Sequence, residues 1–165
     1  MAVHPGVKRA SRDDRSSTLV LFRLGDADYA LPLDRVVEVL RMVAITPVPE
    51  SPRAVAGVID LRGRVIPVLD LRRRLGMPDR AYDLRTPILV AEDDRRVVGL
   101  VADEVVQMLP VPAEAIDGPE TLGRPAAAVE AVARPGGRLV LVLDLAAVCD
   151  VLDEVVIPDV GHRQG

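Results

Sequence analysis

VIDLRGRVIPVLDL (58–71) recurs as VARPGGRLVLVLDL (132–145), without gaps and with 7 of 14 positions identical. The shared residues are Val58/Val132, Gly63/Gly137, Arg64/Arg138, Val68/Val142, Leu69/Leu143, Asp70/Asp144 and Leu71/Leu145. Each copy reads as an apolar run, a turn containing glycine, and a second apolar run ending in Asp-Leu. Glycine at such a turn supplies positive φ, so each copy predicts a β-hairpin. A second pair, LPLDRVVEVL (31–40) and LVADEVVQML (100–109), matches at 5 of 10 positions and stands in the same order. Val48-Pro49 and Val111-Pro112 follow it in turn. One small β unit is therefore written twice, and the two halves are expected to meet near residues 80–87.

Working outward, TLVLFRL (18–24) and YALPL (29–33) flank the turn GDAD, and TPILVAE (86–92) and RVVGLVAD (96–103) flank Asp93-Asp94-Arg95. With VAGVIDL/RVIPVLDL and AVEAVA/RLVLVLDL, four hairpins are predicted, at the spacing of barrels or sandwiches. The fold class is all-β, with short helices. Asp70 and Asp144 each precede a helical segment, where a carboxylate accepts from free N–H groups of the first turn. Gly76 and Pro78 end the first of these helices. The second, LAAVCDVLDEVV (145–156), places Leu145, Val148, Cys149, Leu152, Val155 and Val156 on one apolar face. It is expected to lie on a barrel with Cys149 in the core. Residues 1–17 are polar and aperiodic and are expected to be a disordered tail. The folded domain then spans 18–157, with a lobe boundary near 80–87, and 158–165 form a second tail.

Composition narrows the function. The chain has 165 residues, 49% hydrophobic and 28% charged, with a net charge of −4 and no tryptophan. No apolar run reaches the ~18 residues that cross a bilayer, and no signal segment precedes the domain. A single cysteine excludes a disulfide framework and fits a reducing, cytoplasmic setting. Acidic balance and only three aromatic residues, Phe22, Tyr29 and Tyr82, argue against a nucleic-acid surface.

Catalytic patterns are absent from the sequence. GPETLG (118–123) lacks the Lys-Ser/Thr of a phosphate loop. Asp93-Asp94 stands at a hairpin tip, where turn geometry favours aspartate. Asp103-Glu104 reads as a charged strand end. Cys149 has no histidine in the folded region to activate it. No catalytic, cofactor-binding or metal-ligating set is expected. A polar group planted among apolar ones carries more information: Glu38 lies among Val36, Val37, Val39 and Leu40, and Arg62 stands at a hairpin tip beside Gly63. A guanidinium there binds a carboxylate through two parallel N–H bonds, Glu38 included. The residues admit two readings: an internal salt bridge that fixes one lobe, or an anchor in an apolar groove that orients a docking helix.

At these residues the chain resembles the CheW-like domain of bacterial chemotaxis coupling proteins. YALPLDRVVEVL, ITPVPESPRAVAGVIDLRGRVIPVLDLRRRLG and VVGLVADEVVQML carry the likeness, from about Thr18 to Val156. The resemblance implies two SH3-like five-stranded barrel lobes sharing a hydrophobic core, consistent with the duplication. It also implies a non-enzymatic adaptor, cytoplasmic at membrane-associated receptor arrays and without direct membrane insertion. Such an adaptor bridges the cytoplasmic tip of transmembrane chemoreceptors to the regulatory domain of the chemotaxis histidine kinase. The positions matching the family's receptor-binding groove are Val36, Glu38, Gly57 and Arg62. Asp60 departs from the asparagine common before Leu-Arg-Gly, which adds a negative charge near Arg62. From the residues alone, a small-molecule or peptide-binding barrel is the alternative, and an Asp/Glu enzyme ranks third.

Overall fold

The computed structural model describes residues 16–123 and 128–157. The expected C-terminal tail lies outside the described residues, as does nearly all of the expected N-terminal one. Ser16 and Ser17, placed in that tail by the sequence, instead open the first strand.

All four predicted hairpins form. They are β1 (Ser16–Leu24) with β2 (Ala27–Pro32), β4 (Val55–Leu61) with β5 (Arg64–Asp70), β6 (Pro87–Glu92) with β7 (Val97–Val101), and β10 (Val129–Ala133) with β11 (Val140–Leu143). Two further strands, β3 (Val36–Arg41) and β8 (Glu104–Pro112), arise inside the second repeated pair, and the short β9 (Ile116–Asp117) follows β8. One sheet runs β3-β6-β7-β5-β4 and the other β8-β1-β2-β11-β10-β9. Each closes on itself. After β3 the chain returns to bridge Thr46 to Val58 of β4, and after β8 it returns as β9 against β10.

The two sheets do not divide the chain near 80–87. The β6–β7 hairpin of the second half lies between β3 and β5 of the first, and the β1–β2 hairpin lies between β8 and β11 of the second. Each half thus lends its leading hairpin to the other. The parallel pairings β2–β11 and β5–β7 are the seams of this exchange. The expected boundary marks where the sequence repeat restarts, not where one lobe ends.

Exchange explains why LVLF (19–22) and PILVA (87–91) read as unbroken apolar runs. Leu19 and Leu21 fill the interior of one barrel, and Ile88 and Val90 that of the other. Their neighbours Val20, Phe22, Leu24, Leu89 and Ala91 face a central core between the barrels, with Leu31, Leu69, Leu100 and Leu143. A strand buried on both faces has no polar side to alternate with.

Asp70 opens helix α1 (Leu71–Arg74) by accepting from the Arg73 N–H at 3.1 Å, and Asp144 opens α2 (Leu145–Cys149) by accepting from Ala147 at 3.2 Å. Gly76, at φ 78°, closes α1 as expected. The terminal helix is shorter than its periodicity predicts: after Cys149 it tightens into a 3-10 turn over 150–154, and Val156 is exposed. Two arginines explain the change. Arg74 donates to the carbonyls of Ala147 and Val148, and Arg96 to that of Cys149, the acceptors a continuing α-helix would use. Acidic Asp150, Asp153 and Glu154 also oppose the negative end of the helix dipole. Asp153 is held below the usual carboxylate range, first by the hydrogen bond from Arg96 and further by the nearby Arg95.

Cys149 is buried in the central core, and burial, with Asp93 adding to it, pushes its thiol up to about 12. Native protein at pH 8 is therefore expected to resist iodoacetamide, while protein unfolded in urea is alkylated. Rapid labelling of the native state, followed by mass spectrometry, would contradict that placement.

Candidate functional site

β3 sits at one end of its sheet, paired with β6, and β4 sits at the other. Closure of the barrel brings β3 and the β4–β5 turn together. The closing contact is the Thr46–Val58 bridge, with N–H to O distances of 2.9 and 2.8 Å in the two directions. Gly57 permits that approach: its φ is 148°, and a Cβ there would lie 2.2 Å from the Thr46 carbonyl oxygen.

Across this closure Arg62 donates to Glu38 through its two terminal guanidinium nitrogens, at 2.6 and 2.8 Å. The arginine side chain is 68% exposed and the glutamate 27%. The hydrogen bond from Arg62 holds the Glu38 carboxyl below its ordinary range, and the same bond raises Arg62. The two residues that the sequence admitted as partners are thus joined at the surface.

Val36 is half-buried against the central core, whereas Val37 and Val39 are 52% and 46% exposed, with Val43 beyond them. Val39 pairs opposite Leu89, so it lies on the sheet face that carries Leu89 of the central core, yet stays exposed. Of the four expected groove residues, Glu38 and Arg62 meet at the surface, Val36 packs against the central core, and Gly57 is a buried spacer. Val37 and Val39 were not singled out by sequence. Valine at nearly every position of VVEV gives no clue to which face is left open.

The duplication supplies an internal comparison. Glu38 corresponds to Gln107 and Arg62 to Gly136, while Val39 corresponds to Met108, which is also exposed. At the corresponding Gln107 and Gly136 no ion pair can form, although Arg134 lies 3.5 Å from Asp117 where β9 meets β10. Solvent-exposed ion pairs contribute little to stability, which weighs against the reading that the Glu38–Arg62 pair exists to fix a lobe.

Other polar groups are engaged internally. A cleft of about 480 Å³ lies where β7 passes into β8. Within it the buried Asp70 accepts from the Tyr82 hydroxyl, and burial together with that carboxylate raises the tyrosine pKa. Asp103 accepts from Arg72 and from the Gly25 N–H, and Arg80 lies 3.1 Å away. Asp93 accepts from the Arg95 and Arg96 N–H groups of its own turn. GPETLG forms a 3-10 turn in which Thr121 donates to the Gly118 carbonyl. Among the described residues no group of three or more His, Cys, Asp or Glu side chains is placed to hold a metal ion, and no helix is long and apolar enough to cross a membrane.

The CheW-like domain model matches residues 18–152. A probable chemotaxis protein CheW of Rhizobium etli is 40% identical over 67% of this chain and 70% of its own length. The chemotaxis protein CheW of Rhizobium meliloti is 35% identical over 79% of this chain and 85% of its own. The crystal structure of the scaffolding protein TtCheW from Thermoanaerobacter tengcongensis superposes with a TM-score of 0.72 at 31% identity, covering 78% of this chain and 88% of that one. A duplicated, hairpin-exchanged pair of barrels, matched along nearly its whole described length, makes this chain a member of the CheW family of chemotaxis scaffolding proteins.

Proposed function

We propose that the chain is a non-enzymatic adaptor coupling the cytoplasmic tip of a transmembrane chemoreceptor to the regulatory domain of a chemotaxis histidine kinase, at membrane-associated receptor arrays. The observation that carries this reading is the exposed Glu38–Arg62 pair beside the exposed valines of β3, a pair not repeated at the corresponding Gln107 and Gly136. A chemoreceptor tip is a helical hairpin, and an apolar margin with one polar anchor suits a helix laid in a groove. In this reading Val37 and Val39 supply apolar contact, with Val36 behind them. Glu38 and Arg62 set the register, and Gly57 supports the pair from beneath. The internal engagement of Asp70, Asp103 and Asp93 and the burial of Cys149 support a role without catalysis.

Co-sedimentation of the purified chain with a receptor cytoplasmic fragment and the kinase tests the assignment. Arg62→Ala is expected to lower receptor affinity by about tenfold, a typical loss for an interface anchor. Its unfolding midpoint should stay near that of the unsubstituted chain, because the pair stands in solvent. Undiminished binding would remove Arg62 from the interface.

A further inference from the structure

We propose that Asp60 is the positioning residue of this site: by accepting the Gly63 N–H it holds Arg62 in a left-handed backbone conformation and aims its guanidinium at Glu38. The inference deepens the docking reading and rests on it for its effect on binding.

Leu61 pairs directly with Arg64, so Arg62 and Gly63 form a two-residue turn, with φ of 53° and 85°. Positive φ at both central positions marks a primed hairpin turn, which favours Asn-Gly, Asp-Gly or Gly-Gly. Arginine there sets its Cβ against a carbonyl oxygen. The turn is held instead by the side chain just before it, since Asp60 Oδ1 accepts from the Gly63 N–H at 2.9 Å.

The other barrel is the control that the chain carries within itself. Its tip repeats the two positive φ values, with Gly136 at 60° and Gly137 at 85°, although there the strand pairing stops at Ala133 and Val140 and a 3-10 turn spans Pro135–Gly137. Glycine stands where Arg62 stands, and Arg134 occupies the place of Asp60. The Arg134 guanidinium lies by Asp117 instead. Where the tip is glycine, no carboxylate braces it; where the tip is arginine, one does. On this account the negative charge of Asp60 is incidental and its acceptor oxygen is what matters.

The test uses the full chain with Asp60→Ala, Asp60→Asn, Arg62→Ala and the Asp60→Ala/Arg62→Ala double variant. The first readout needs no partner: titration of the Glu38 carboxyl by NMR. In Asp60→Ala its pKa should rise toward the ordinary 4.5 as the guanidinium drifts, while in Asp60→Asn, whose amide oxygen accepts the same N–H, it should stay low. The second is affinity for a soluble receptor cytoplasmic fragment. Asp60→Ala should weaken it about threefold to tenfold and Asp60→Asn by less than about twofold, the range set by one hydrogen bond. The double variant should bind no more weakly than Arg62→Ala, because both changes remove one contact.

An unmoved Glu38 titration in Asp60→Ala overturns the proposal. So do losses that multiply in the double variant, which would signal a general destabilisation. If Glu38 responds as expected but Arg62→Ala binds the fragment undiminished, positioning stands and the docking reading fails.

Discussion

Asp103→Ala is expected to cost about 3 kcal/mol of folding stability, and the reason is where four donors converge. The side chain is 8% exposed and faces Arg72 of α1 at 2.7 and 2.9 Å, Arg80 of the following loop, and the Gly25 N–H at the tip of the β1–β2 hairpin. It therefore ties the hairpin lent to one barrel to the helix that ends the other. Removing one member of a largely buried ion pair leaves the remaining charge without a partner, which costs roughly 3–5 kcal/mol at full burial and somewhat less here. Thermal unfolding should show the midpoint falling by roughly 6–12 °C. A midpoint within a degree or two of the unsubstituted chain would deny Asp103 this role. Burial by itself raises the Asp103 pKa, but hydrogen bonds from Arg72 and Gly25, with the charges of Arg72 and Arg80, outweigh it and hold the carboxyl below its ordinary 3.8. A carboxylate so depressed stabilises the fold above pH ~4, and the contribution fades as pH falls through the lower, folded-state value. The unsubstituted chain should lose stability on acidification below pH 4 more steeply than Asp103→Ala does.

Gly57→Ala is expected to be comparably severe and to disturb the proposed docking site as well. The added Cβ would lie 2.2 Å from the Thr46 oxygen, 2.7 Å from its carbonyl carbon and 2.8 Å from an Ile45 methyl, and the first two are backbone atoms that cannot rotate aside. Overpacking and an unfavourable φ together cost about 3 kcal/mol. The strand closure would open first, so amide exchange at Thr46 and Val58 should quicken before the rest of the protein responds. Gly63→Ala is the contrast. It shares a positive φ, but its Cβ meets nothing within 4 Å, so about 1 kcal/mol is expected. Equal urea midpoints for the two variants would show that backbone conformation, not the close approach of Thr46, governs Gly57.

What the sequence made legible was local. Hairpins announce themselves through glycine turns between apolar runs, and Asp70 and Asp144 act on N–H groups three residues away. The repeat was legible because it is a comparison of the chain with itself. Hairpin exchange was not, since β2 beside β11 leaves the same apolar pattern as β2 beside any other strand. The end of the last helix was hidden for a related reason: Arg74 reaches it from α1 and Arg96 from the β6–β7 turn, both far along the chain. At the proposed docking site, Glu38 and Arg62 stood out as charges among valines. Which valines remain uncovered depends on how β3 faces the central core, and no window of sequence contains that fact. Asp103 was read as a strand-end charge because its three tethers, Gly25, Arg72 and Arg80, lie far from it in sequence.

The lending of hairpins between halves has a consequence for biosynthesis. β1 and β2 leave the ribosome first, yet their partners β8 and β11 begin 88 and 113 residues after them. The nascent chain therefore holds strands whose both faces are apolar through most of its synthesis, and such exposed edges invite association with other chains. Neither half has a complete barrel to close on its own, so maturation is concerted and follows release of the last strand. A stop or frameshift late in the message would leave no half-sized fragment with a closed barrel of its own.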